Sequence, residues 1–207
     1  MRVQHVLFDA DGVMQFIPGG LHLGLVPAFG ERALAFAQQP WHSDPAFLTG
    51  FDDYPARLAE ELALTGVDLS ADDAFSLMWE RVELVPEAVQ VVHDLASAGY
   101  RVHLATNQER RRANFMREAV GYDTMFEMSF YSCDLGVAKP DRAFFDEVLR
   151  RLRAAPDEVL FIDDHELNVM AAASAGMRAT QWHNLQPTEE LFEAFNRHGV
   201  RLHAGGP

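Results

Sequence analysis

The chain has 207 residues, enough for one domain carrying an insertion, and 48% of them are apolar, so it can bury a real core and is not read as disordered. Its formal charge of −14 argues against a nucleic-acid backbone or an anionic membrane as partner, and any phosphate pocket has to be positive locally. Cys133 is the single cysteine, which excludes an intramolecular disulfide; no apolar run is long enough to span a bilayer, and the N-terminus enters a strand at once, so a soluble, cytoplasmic protein is expected.

Val6-Leu7-Phe8 is an unbroken apolar run, as expected of a strand buried on both faces of a parallel sheet. Asp9 and Asp11 follow it, and Gly12 frees the backbone to turn. Gln15 to Gly24 carries Pro18, Gly19, Gly20 and Gly24 and reads as a flexible linker, with Gln15 and Phe16 as guesses for substrate contacts. From about Pro27 to Val82 the signals are helical. Ala33, Leu34 and Ala37 share a face, and Asp44-Pro45 opens a turn. Asp52 or Asp53 caps a stripe of Leu58, Leu62 and Leu64 that Gly66 ends, and Ser70 with Asp73 starts a further helix. The aromatics of this segment are expected to form a small core of its own.

Pro86 marks the return, with Val89, Val92 and Leu95 at helical spacing and Gly99 at the C-terminal cap. Tyr100 to Ala105 is a strand ending in Thr106-Asn107. The helix after it, from about Gln108 to Val120, carries Arg110, Arg111 and Arg112, read as a solvated face in preference to a substrate contact. Met125 to Tyr131 is strand-like, and a loop from Cys133 to Asp141 delivers Lys139-Pro140 to a helix with Phe144, Val148 and Leu152 on one face. Val159 to Ile162 is another wholly apolar strand, ending in Asp163-Asp164. Leu167, Met170 and Ala173 follow on a helix that Gly176 closes; Met177 to Trp182 is a last strand, Pro187 to Arg197 a terminal helix, and the tail Ala204–Pro207 is expected to fray.

This alternation implies an α/β fold: a Rossmann-like parallel sheet with flanking helices, interrupted once by an all-helical segment. The expected division is a core of residues 1–14 and 85–207 and a helical cap of residues 15–84. Because the interruption follows the first strand, it rises from the carboxyl edge of the sheet, where α/β proteins bind ligands. Asp9 and Asp11, Thr106 and Asn107, Lys139, and Asp163 and Asp164 are carried to that edge. Each alone suits an ordinary turn or helix cap. Together they offer carboxylates, a hydroxyl, an amide and one cation, a set that suits a hard divalent cation such as Mg²⁺ and a phosphoryl group. One carboxylate is then free to attack phosphorus.

In order and placement these four motifs resemble those of the haloacid dehalogenase superfamily, and the helical segment resembles the C1-type cap of its subfamily I. The run from Phe161 to Asn168 resembles the branch of sugar phosphatases and epoxide-hydrolase phosphatases. The resemblance implies a Mg²⁺-dependent phosphatase of a small phosphorylated metabolite, a sugar phosphate being one candidate. It casts Asp9 as nucleophile and metal ligand. Asp11 becomes acid/base, its main-chain carbonyl on the metal. Thr106 and the backbone or side chain of Asn107 hold phosphoryl oxygens, Lys139 offsets charge, and Asp164 is a direct metal ligand with Asp163 acting through a metal-bound water, or the two acids in exchanged roles. Asn168 either orients the site or is a plain surface amide. A phosphomutase would use the same residues. A metal-independent dehalogenase would lack Asp11, and a non-catalytic regulatory protein would be expected to have lost an acid. Monomer and homodimer both stay open.

Overall fold

The computed structural model describes residues 2–202; the expected fraying of Ala204–Pro207 lies outside the described residues. Among the described residues seven strands form in chain order: β1 (His5–Phe8), β2 (Gln15–Phe16), β3 (Glu83–Leu84), β4 (Arg101–Thr106), β5 (Met128–Tyr131), β6 (Val159–Asp163) and β7 (Arg178–Gln181). Five of them make one sheet in the order β5-β4-β1-β6-β7, parallel throughout. The chain runs outward from β1 in both directions, so the acids after β1 and β6 sit on adjacent strands.

Successive residues of a strand point to opposite faces, and the core divides accordingly. Val6 and Phe8 of β1, Val102 and Leu104 of β4, and Leu160 and Ile162 of β6 pack into one apolar layer with helix Pro86–Ser97. Leu7, Ala105, Val159 and Phe161 pack into the other with helix Arg142–Leu152. Both faces are covered, which is why these strands read as continuous apolar runs.

β2 and β3 pair antiparallel as a short ribbon, Gln15 opposite Leu84. Gln15 to Phe16 is therefore strand and not flexible linker; the glycines of the expected linker begin only beyond it. Every element between β2 and β3 is helical. Helices Tyr54–Thr65 and Ala71–Trp79 are capped by Asp53 and Ser70, whose side chains accept the N–H of Ala56 and of Asp73. Gly66 ends the first of them at φ +67. Leu25, Phe29, Phe36, Phe47, Leu58, Leu62 and Phe75 make a third apolar cluster inside this insert. Leu64 is 82% exposed and lies outside the stripe expected of it. Helix Glu166–Ser174 also departs from its apolar pattern. Leu167 and Met170 face out, while Asn168 and Ala172 are buried. The helix is turned so that Asn168 can reach the preceding strand end. Among the described residues no helix is long and apolar enough to cross a membrane.

One polar pair lies inside the sheet. His5 and His103 stack on adjacent strands, Nδ1 of one 3.1 Å from Nε2 of the other. Burial, with His5 adding to it, pushes His103 from 6.5 down to about 4. The unfolded chain therefore takes up this proton first as pH falls, and stability is lost between about pH 6.5 and about 4. His103→Leu is expected to flatten that acid limb by up to roughly 3 kcal/mol, at 1.36 kcal/mol per pKa unit, in urea midpoints taken at pH 7 and pH 4.5. Equal slopes in the two proteins would contradict it.

Candidate active site

β1 and β6 run in register, Phe8 opposite Ile162, so the residues that follow them emerge together at the carboxyl edge. Lys139 arrives there from the loop before helix Arg142–Leu152, through a cis Lys139–Pro140 peptide. Its Nζ donates to Asp9 Oδ1 at 2.8 Å, to Asp163 Oδ2 at 2.7 Å and to the Ala105 carbonyl at 2.9 Å. Burial alone would favour the neutral amine, but Asp9 and Asp163 outweigh it and hold the lysine charged, its pKa raised. Asp9 feels burial most; against the pull of Lys139 and with the push of Asp163, its carboxyl rises to about 7.

Asp163 is fully buried and fully engaged. Its Oδ1 accepts the His165 N–H at 2.8 Å and Asn168 Nδ2 at 3.0 Å, and its Oδ2 takes Lys139 and Asn168 Nδ2. Asp164 differs: its Oδ1 is buried with no hydrogen-bond partner, and burial together with Asp163 raises its pKa. Oxygens of Asp9, Asp163 and Asp164 come within 4.8 Å of one another. Crowded acids with an orphan oxygen are costly without a cation, and an all-oxygen set suits a hard one. The residues present therefore fit a divalent ion, with Asp9 and Asp164 freer to bind it than Asp163. Gly12 makes the crowding possible: at φ +78 a Cβ there would lie 2.5 Å from Asp164 Oδ2.

Asp11 is gripped. Arg112 donates from Nη1 to its Oδ2 at 2.6 Å and from Nη2 to its Oδ1 at 2.7 Å. Gln15 and Gln108 add amide donors at 2.9 and 2.8 Å. Burial raises the Asp11 pKa, but the Arg112 charge and these hydrogen bonds prevail and hold the carboxyl below its ordinary range. Gln15 is itself oriented by the Tyr122 hydroxyl at 2.8 Å and is wholly buried, so it positions Asp11 rather than touching a ligand. Phe16 does line the cavity. Thr106 is buried at the base of the cavity, where its hydroxyl accepts from Gln108 Nε2 at 3.1 Å. The Asn107 side chain is committed to the main chain of Lys139, donating to its carbonyl and accepting its N–H, both at 2.8 Å. With the side chain so engaged, the contact expected of Asn107 with a phosphoryl oxygen falls to its backbone N–H. Asn168 is an orienting amide, as one of its two readings had it, and acts on Asp163.

The seven expected residues, Asp9, Asp11, Thr106, Asn107, Lys139, Asp163 and Asp164, thus come together at one edge. The arginine run departs from the expected solvated face at two of its three positions: Arg110 is exposed, but Arg111 and Arg112 turn toward the insert. Arg112 is 3% exposed, and its guanidinium lies 4.8 Å from the ring centre of Trp79 in the insert. Arg111 pairs with Asp72 and Glu80 and covers Phe75 at 4.1 Å. The available signal was spacing: Arg112 shares a helical face with buried Met116. Above the acids a cavity of about 520 Å³ reaches into the insert, where Leu21, His42, Leu48, Tyr54 and Trp79 line it.

The parallel sheet, with acids and a lysine gathered at its carboxyl edge beneath a helical insert, defines a Rossmann-like α/β enzyme class. The family model for haloacid dehalogenase-like hydrolases matches residues 3–176, and the chain belongs to that family. Mouse acyl-CoA dehydrogenase family member 10 is 27% identical over 218 residues, covering 98% of this chain and 20% of that protein. Sesquiterpene phosphatase astK of Aspergillus oryzae is 28% identical over 128 residues, 61% of this chain and 63% of its own length. The chain spans less than two thirds of either. A HAD family enzyme from Bacteroides thetaiotaomicron, crystallised with magnesium and inorganic phosphate, superposes with a TM-score of 0.74 at 18% identity over 92% of this chain and 99% of that one.

Gly12→Ala is expected to displace Asp164 and strain the turn, lowering divalent-cation affinity in calorimetry by at least about tenfold and stability by about 1–3 kcal/mol. Unchanged cation binding would contradict this packing.

Proposed function

We propose that the protein is a Mg²⁺-dependent phosphatase of a small phosphorylated metabolite, with residues 15–84 as a cap over a core of residues 1–14 and 85–207. The observation that carries this reading is the Asp9–Lys139–Asp163 contact with the orphan oxygen of Asp164 beside it. With Oδ1 on Lys139, Asp9 keeps Oδ2 to attack phosphorus; the new O–P bond forms as the ester P–O bond breaks. Asp11 gives the leaving alkoxide a proton, then takes one from the water that hydrolyses the aspartyl-phosphate. In the arrangement described here Asp11 is held as a carboxylate, the form that takes a proton from water. Giving one to the alcohol requires the Arg112 grip to loosen. Thr106 Oγ1 and the Asn107 N–H hold phosphoryl oxygens, and Lys139 offsets the charge of nucleophile and phosphoryl group together. Mg²⁺, held by Asp9, Asp164 and the Asp11 main-chain carbonyl with Asp163 behind them, would neutralise charge on the phosphoryl oxygens. The magnesium and phosphate in the Bacteroides enzyme and the phosphatase name of the Aspergillus relative support this choice. So does Asp11, an acid that carbon–halogen cleavage does not need.

Phosphate release from a panel of phosphorylated metabolites should need Mg²⁺ and stop in EDTA; activity that persists in EDTA would overturn the metal assignment. Asp9→Asn should release no phosphate, and Asp11→Asn should lower kcat by about 10²–10⁴-fold. Arg112→Leu removes the two charge-assisted hydrogen bonds that orient Asp11, a loss that should outweigh the easier protonation of its carboxyl, so kcat should fall roughly 10–100-fold, the equivalent of about 1.5–3 kcal/mol. A kcat equal to that of the parent would show that the grip on Asp11 is structural only.

A further inference from the structure

The cavity has two chemically different ends. The inner end carries the acids, Lys139 and Thr106; the outer end is built from the ribbon and the insert. Phe16, Ile17, Leu21, Leu48 and Trp79 line that outer end with carbon. Its polar atoms are spent on one another. The Trp79 indole N–H donates to the Tyr54 hydroxyl at 2.8 Å, and that hydroxyl lies 2.6 Å from His42 Nδ1. His42 Nε2 completes the chain against the Phe36 carbonyl at 3.0 Å. Burial pushes His42 down to about 4, so the ring is neutral near pH 7 and brings no charge to the cavity. The Ser43 hydroxyl, at the exposed rim, is the lining side chain of the insert left without a hydrogen bond among the described residues.

The lysine and arginine that line the cavity are also committed. Lys139 is divided between Asp9 and Asp163, and Arg112 is bidentate on Asp11. Glu109, a further lining residue, is an acid whose pKa burial raises, and it spends its oxygens on the N–H groups of Arg111 and Arg112 at the start of their helix. A second phosphate or a carboxylate on the substrate would meet no free lysine or arginine there, and would face Glu109. Apart from the Ser43 hydroxyl and the exposed His165 ring, a polyhydroxylated sugar would find few open donors or acceptors and would lose water without replacing it. Apolar surface, in contrast, gains by entering such a wall, and the volume lies within the roughly 300–1,000 Å³ of ordinary small-molecule sites.

We propose that the alcohol half of the substrate is apolar and uncharged, an alkyl or aryl group seated against Leu21, Leu48 and Trp79. This deepens the phosphatase reading and rests on it. The sugar phosphate suggested by the sequence resemblance is then the disfavoured class.

Phosphonates, which cannot be hydrolysed, test the wall without requiring turnover. With the full chain and Mg²⁺ in a calorimeter, affinity should rise from methyl- to propyl- to hexylphosphonate, by about fourfold at most for each buried methylene. Methylenediphosphonate and 3-phosphonopropionate should bind no tighter than methylphosphonate. Leu48→Arg should reverse the order, with 3-phosphonopropionate gaining at least tenfold and hexylphosphonate losing. A flat alkyl series, or tightest binding by a doubly anionic analogue, overturns the proposal. Turnover separates the two readings. If hexyl phosphate binds as expected but releases no phosphate, the phosphatase reading fails while the apolar wall stands. If phosphate is released but glucose 6-phosphate outperforms hexyl phosphate tenfold in kcat/KM, the phosphatase reading stands and the apolar class fails.

Discussion

Lys139 holds its charge inside the protein because two carboxylates share it. Asp9 and Asp163 hold a lysine at this depth charged, and its charge in turn draws down the Asp9 carboxyl that burial pushes up. Breaking one member of such a buried group typically costs about 3–5 kcal/mol, since the others are left charged and unpaired. The rest of the site follows from that contact. Asn168 and the His165 N–H satisfy the oxygens of Asp163 that the lysine does not, and Asn107 fixes the main chain from which Lys139 projects. The surplus of acid then falls on Asp9 and Asp164, the two that face the cavity.

A second ion pair ties the insert to the sheet. Arg112 joins Asp11 on one side and the face of Trp79 on the other, so the side chain proposed to move protons and the wall proposed to receive the substrate share one guanidinium. Arg111 joins the same helix to Asp72, Glu80 and Phe75. An insert held this way does more than cover the cavity: any shift of its last helix changes what surrounds Arg112. The polar chain from Trp79 through Tyr54 to His42 ties together three of the side chains that line that wall.

Likeness to solved structures at 18% identity speaks for the fold, and the family model speaks for the hydrolase class. The lining of the outer cavity comes from the ribbon and the insert, apart from the acids and lysine at the sheet edge.

The sequence alone settled the layered α/β plan, since a strand buried on both faces must be apolar throughout and Val6 to Phe8 and Val159 to Ile162 both are. It also settled which polar residues end the strands, because acids placed directly after such runs have one edge to occupy. It could not say which of these groups pair. The partnership of Arg112 with Asp11 spans 101 positions, and a run of three arginines looks the same whether solvated or buried. Nor could apolar spacing orient helix Glu166–Ser174, whose leucine and methionine face outward so that Asn168 can serve Asp163. Strand pattern is local and written in neighbouring residues; satisfying a buried charge is a property of the whole packed interior, and only the tertiary structure decides it.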